Sequence, residues 1–173
     1  MPAFLVTGNP GSGKSTLARE LARRGLPVID PDDDRELAHW ADAAGHPVAG
    51  PQRPDGAWLR CHRWVWDRTR MEQVLAGQIG AVFVCGIARN QDQFLDLFNG
   101  VFLLQIDGPT QQARLIAYDT LHPPGRSEAG RQEIRDGRAA FEQQMLRLGA
   151  VALDGAAPPA TVADQVLALI AAT

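Results

Sequence analysis

Short apolar runs alternate with amphipathic stretches along most of this chain. Residues 3–7 (Ala-Phe-Leu-Val-Thr), 26–30 (Leu-Pro-Val-Ile-Asp), 81–85 (Ala-Val-Phe-Val-Cys), 101–107 and 150–153 are brief and apolar, as expected of strands buried on both faces. Between the first two, Lys14 to Arg24 gathers Leu17, Ala18, Leu21 and Ala22 on one side, which predicts a helix ended by Gly25. Further helices are expected over 91–98, over 110–118 behind Pro109, over 131–148 and over 160–171. Residues 36–44 read as a short helical piece, 57–78 as helix-compatible, and 119–130 as a polar loop rich in proline and glycine. Strands alternating with helices specify an α/β fold, a parallel sheet covered on both faces in three α/β/α layers. Ligands on such sheets lie beyond the carboxyl ends of the strands. Residues 8–15, 30–34, 86–90, 107–109 and 154–156 are therefore expected to face one crevice.

Composition narrows the class. At 173 residues, with 45% hydrophobic and 21% charged positions, the chain is expected to form one soluble domain over 1–173. There is no uncharged apolar run long enough to span a membrane. The opening residues have no basic segment and run directly into a strand, the reading of a chain without a signal peptide. Cys61 and Cys85 form neither a disulfide framework nor a CxxC pair, so a reduced, cytoplasmic protein is expected. The net charge of −3 points away from a nucleic-acid partner. The seventeen cations are lopsided, because Lys14 is the single lysine.

That lysine stands in Gly8-Asn9-Pro10-Gly11-Ser12-Gly13-Lys14-Ser15, which fits G-x-x-x-x-G-K-[ST] without exception. Glycines allow consecutive backbone N–H groups to approach a polyphosphate, and the helix that follows aims its N-terminus at the same charge. Lys14 offers a compact ammonium to the phosphates, Ser15 a hydroxyl for Mg²⁺, and Thr16 continues the same turn. A strand before and a helix after supply the required context. A guanine-reading [NT]-K-x-D segment needs a second lysine, so a GTPase is not expected.

Across most of its length the chain resembles the small P-loop kinases, the group of adenylate, shikimate and gluconate kinases. Val28-Ile29-Asp30-Pro31-Asp32 is similar to the acidic segment of shikimate kinases. That resemblance implies Asp30 as a metal-orienting carboxylate and Asp32 as the group that binds or deprotonates the acceptor. Cys85-Gly86-Ile87-Ala88-Arg89 is similar to the adenylate kinase segment whose arginine grips the acceptor, which implies an acceptor-site role for Arg89. Here Cys85 replaces that family's aspartate. The resemblance further implies a lid over 119–138 delivering Arg126, an adenine or lid contact for Arg114, and base-edge recognition around Asp154. The fold implied is a five-stranded parallel sheet with an acceptor-binding insert over 31–78.

That insert holds all four tryptophans, Trp40, Trp58, Trp64 and Trp66, interleaved with Arg60, His62, Arg63 and Arg68. Aromatic faces and arginines suit a planar anionic acceptor, with Trp58 and Arg60 as candidates, although the tryptophans are equally able to form the insert's own core. The resulting expectation is an ATP- and Mg²⁺-dependent kinase of a small molecule, monomeric or homodimeric, with a nucleoside or nucleoside monophosphate as acceptor. The alternatives are a hydroxylated metabolite or antibiotic as acceptor, or an ATP-binding regulatory protein with slow hydrolysis.

Overall fold

Successive side chains of a strand point to opposite faces, and the first strand sorts its residues accordingly. Phe4 and Val6 face one layer of helices, whereas Leu5 faces the other. The structure, a computed structural model, describes residues 2–117 and 127–172. Its elements are, in chain order, β1 (Ala3–Thr7), α1 (Lys14–Arg23), β2 (Val28–Ile29), a 3-10 turn (Pro31–Asp33), β3 (Ala38–Ala41), β4 (Pro47–Val48), α2 (Gly56–Cys61), β5 (Arg63–Trp66) and α3 (Arg68–Ala76). There follow β6 (Val82–Cys85), a 3-10 segment (Gln91–Leu97), β7 (Gly100–Gln105), α4 (Gly108–Ala117), α5 (Glu128–Arg147), β8 (Val151–Asp154) and α6 (Pro159–Ala171).

Five strands form a parallel sheet in the order β2-β6-β1-β7-β8, so β1 is central. On one face Phe4, Phe83, Cys85, Phe102 and Leu104 pack against Leu17 and Leu21 of α1 and Val162, Ala163 and Val166 of α6. On the other, Leu5 and Val84 meet Met71 of α3 and Phe94, while Leu103 meets Met145 of α5. The result is the expected three-layer α/β/α arrangement. Leu5, Leu21, Val84 and Leu103 are fully buried, and each such side chain contributes about 1.5–3 kcal/mol relative to exposure.

The region between β2 and β6 differs from its sequence reading. Residues 36–44 hold no helix: Ala38–Ala41 is a strand, paired antiparallel with β4 and β5 in a separate three-stranded sheet. The helix-compatible stretch 57–78 is broken by a second strand, Arg63–Trp66. The cause is cross-strand packing, in which Trp40 sits opposite Trp64 with ring centroids 5.6 Å apart at 78°. Aromatic pairing of this kind outweighs modest helix propensity. Asp42 and Gly45 consequently belong to a tight turn, with the Asp42 carboxylate accepting from the N–H groups of Ala44 and His46. The long helix also begins three residues earlier than the periodicity suggests, at Glu128, because Ser127 caps it by accepting from Gly130 N.

Candidate functional site

β1 ends at the centre of the sheet and delivers the chain into the glycine-rich turn. Gly13 caps α1 with φ of 105°, a left-handed value that suits glycine. Within the turn, Ser12 N donates to Asn9 O at 3.0 Å, and Thr16 N to Gly13 O at 3.1 Å. The backbone N–H groups at the start of α1 face a cleft of about 710 Å³. Its walls comprise residues 10–17, Asp30, Asp32, Cys85 to Ile87, Arg114 and Gly155 to Pro159. Lys14 reaches back over the turn, its Nζ donating to Gly8 O at 2.6 Å and Asn9 O at 3.2 Å. Concave backbone donors, a helix N-terminus and one ammonium make an anion cradle.

The turn is held from behind by α4. Arg114 Nη1 donates to Gly11 O at 3.0 Å and to Gly155 O at 3.1 Å, joining the glycine-rich turn to the loop after β8. Gln111, fully buried, donates to Pro10 O at 3.2 Å. On the far side Asn9 points away from the cleft, and its amide lies 3.5 Å from Glu142 of α5.

Burial governs the charges on the cleft floor. It pushes Lys14 down to about 8, with the carboxylates of Asp32 and then Asp30 opposing the shift. It pushes Asp30 up to about 6, only partly offset by the hydrogen bond from Asp32 N. Cys85 rises to about 12 for the same reason, which makes it an inert small hydrophobe. Among the described residues no group of three or more His, Cys, Asp or Glu is placed to hold a metal by itself. The exposed Ser15 hydroxyl in the first turn of α1 and the under-compensated Asp30 carboxylate are hard oxygen donors. They fit a Mg²⁺ ion that takes its remaining ligands from phosphate and water.

A second cavity, of about 370 Å³, adjoins the first and shares Pro10 and Ile87 with it. Trp40 and Trp64 come from the small sheet, Leu59, His62 and Arg63 from the end of α2 and the start of β5, and Ala88, Arg89, Gln91 and Asp92 from the loop after β6 and the 3-10 segment that follows it. α5 closes it with Glu133, Ile134, Gly137, Phe141 and Met145. Asp32 lies on the border: it lines the first cleft, and its Oδ1 accepts from the indole N–H of Trp64 at 2.9 Å.

The structure thus gathers Pro10, Gly11, Ser12, Gly13, Lys14, Ser15, Thr16, Asp30, Asp32 and Arg114 around one cleft. Gly8 and Asn9 support the turn through their carbonyls. Asp154 caps its own turn by accepting from Ala156 N at 2.8 Å, and the residues after it line the cleft. Residues 107–109 do not reach it, because Asp107 is exposed and accepts from Thr110 N at the start of α4. Arg89 lines the second cavity, exposed and 3.8 Å from Glu133. Trp58 stacks on His62 at 3.6 Å and 6°, and Arg60 is exposed, so neither lines that cavity. Trp66 packs in the main core against Phe94. Arg131 and Arg135 are occupied by Glu128, and Arg138 by Ile106 O. Arg126 and Tyr118 lie outside the described residues.

Several residues here carried no chemical motif. Trp64 and Asn90 are isolated in sequence from what they bind. The Ile134, Gly137, Phe141, Met145 stripe on α5 has a helical spacing that reads as ordinary core.

No family model and no curated protein matches the chain. Solved structures do. Shikimate kinase from Acinetobacter baumannii, in complex with shikimate, superposes with a TM-score of 0.62 at 20% identity, over 99% of this chain and 94% of that one. Deoxyadenosine kinase from M. mycoides with bound dATP gives 0.56 at 11% identity, over 99% and 100%. A gluconokinase from Sinorhizobium meliloti gives 0.54 at 20% identity, over 99% and 92%. The chain has the fold of the small P-loop kinases over nearly its whole length.

Proposed function

We propose that this protein is an ATP- and Mg²⁺-dependent kinase that phosphorylates a hydroxyl group of a small molecule. The observation that carries the reading is the junction of two cavities. A cleft suited to a polyphosphate shares Pro10 and Ile87 with an aromatic-lined space, and a carboxylate, Asp32, lines the first and is bonded to Trp64 of the second. Phosphoryl transfer requires positioning and charge neutralisation more than covalent chemistry, and the residues divide those tasks. The P-loop amides and Lys14 hold the transferring phosphate and its developing charge. Ser15 and Asp30 hold the metal, whose contribution is to neutralise charge between the phosphates. Asp32 orients the acceptor hydroxyl and takes its proton. The segment after Gly155 receives the base edge, residues 31–78 serve as the acceptor-binding insert, and Arg126 belongs to a lid over 119–138.

A nucleoside is the favoured acceptor, because Trp40 and Trp64 line the second cavity and aromatic side chains suit a planar base. A hydroxylated carboxylic acid, as in the shikimate-bound neighbour, is the second reading, supported by Arg63 and Arg89 in the same wall. The test is ADP release from Mg-ATP across nucleosides, nucleoside monophosphates, shikimate, gluconate and aminoglycoside-type alcohols. One acceptor class should stimulate release, and Lys14→Ala should reduce it by about 100-fold or more while leaving the fold intact. A flat panel with tight ATP binding would overturn the kinase in favour of a regulatory ATP-binding protein.

A further inference from the structure

Asp32, in the 3-10 turn after β2, and Trp64, in β5, are 32 positions apart, yet a 2.9 Å hydrogen bond joins them. Both ends of that bond are built in advance. Trp64 O accepts from Arg89 N at 2.8 Å. Two residues on, the Asn90 side chain takes both main-chain groups of Trp66, at 3.0 and 2.9 Å. β5 is therefore stitched to the loop that follows β6, and Trp40 bears edge-on against the Trp64 ring. On the other side Asp30 caps the acidic turn by accepting from Asp32 N, and Pro31 is buried against Gly86.

The bond is not explained by the need of a buried indole for a partner. Trp58 and Trp66 both keep a buried Nε1 with no hydrogen-bond partner among the described residues. This chain tolerates unpaired indole N–H groups, and directs Trp64's to the carboxylate between the two cavities. The charge of Asp32 is also the largest of those felt by Lys14, which sets it close to the phosphate cradle.

We propose that Trp64 is a positioning residue for Asp32. Its N–H fixes the carboxylate that receives the acceptor hydroxyl, while its ring forms a wall of the cavity that holds the acceptor, so one side chain couples acceptor packing to carboxylate orientation. The proposal rests on the kinase reading above. A preorganised donor of this kind acts on the reacting geometry more than on ground-state binding.

The test is Trp64→Phe in the full chain, which keeps an aromatic wall and removes the donor. With the stimulating acceptor, kcat should fall about tenfold with acceptor KM changed much less and the KM for ATP unmoved. In an Asp32→Ala background the same substitution should cost little further, since its route to the chemistry is gone. In a ¹H–¹⁵N spectrum the indole resonance lost in Trp64→Phe should be the one displaced in Asp32→Ala. Equal losses in both backgrounds, or an indole resonance indifferent to Asp32→Ala, would overturn the proposal. The spectrum of Asp32→Ala keeps it testable if Trp64→Phe folds poorly. Wild-type protein that binds ATP but responds to no acceptor would remove the kinase reading, and the positioning role with it. Responsive wild type with an unaltered Trp64→Phe removes the positioning role alone.

Discussion

A single methyl group placed at Gly86 should damage both stability and turnover. Gly86 is buried at the end of β6, and its backbone does not require glycine through a positive φ. The cost of Gly86→Ala is therefore one of space. An added Cβ would stand 2.9 Å from Pro31 Cδ, 3.0 Å from Pro31 Cγ and 3.0 Å from Trp66 Cζ2. The Pro31 ring is fused to the backbone of the turn that carries Asp30 and Asp32, so the clash is relieved only by moving that turn or β5. Overpacking of this kind costs about 1–3 kcal/mol, and at about 2–4 °C per kcal/mol for a chain of this size Tm should fall by about 2–12 °C. Displacing the turn should also lower kcat through Asp32. Gly137→Ala provides a comparison of opposite sign. It lies inside α5, and its added Cβ would meet nothing within 4 Å. Replacing a mid-helix glycine there should stabilise by about 0.5–1 kcal/mol, raising Tm by about 1–4 °C. Both variants would be followed by thermal unfolding and by ADP release. A Gly86→Ala protein as stable and active as the wild type, or a destabilised Gly137→Ala, would refute the reasoning.

Two further expectations concern titration and reactivity. Because burial lowers Lys14 to about 8, the free protein holds the ammonium only below that pH, whereas bound phosphate favours the charged form. Nucleotide affinity should be full below about pH 8 and fall as pH rises through it. Calorimetric titration on either side of that value, with an unchanged Kd, would contradict the assignment of Lys14. Cys85 is buried with its thiol pushed up to about 12, while Cys61 is exposed. A disulfide reagent at mildly alkaline pH should therefore titrate one thiol in the folded protein and two after denaturation, and two in the folded state would disprove the burial of Cys85.

The central layer of this protein was legible in short stretches of sequence. Buried parallel strands announce themselves as brief apolar runs, α1 by its spaced leucines, and the glycine-rich turn by eight consecutive residues whose geometry depends chiefly on one another. Asp30 and Asp32 were within reach because they directly follow such a strand. The small sheet was not legible in this way. Ala38–Ala41 reads locally as helix, and only its pairing with Arg63–Trp66, across a separation no periodicity spans, makes it a strand. The second cavity was hidden for the same reason. Trp58 and Arg60 share the insert's composition with Trp40, His62, Arg63 and Trp64, but which of them turn toward α5 is settled by packing between elements distant in the chain. Composition placed aromatic and basic residues in a segment that lines the second cavity. Tertiary contacts alone made Trp64 a donor to Asp32 and Asn90 the clamp that holds β5, because a hydrogen bond between residues 32 positions apart leaves no imprint on the spacing of either.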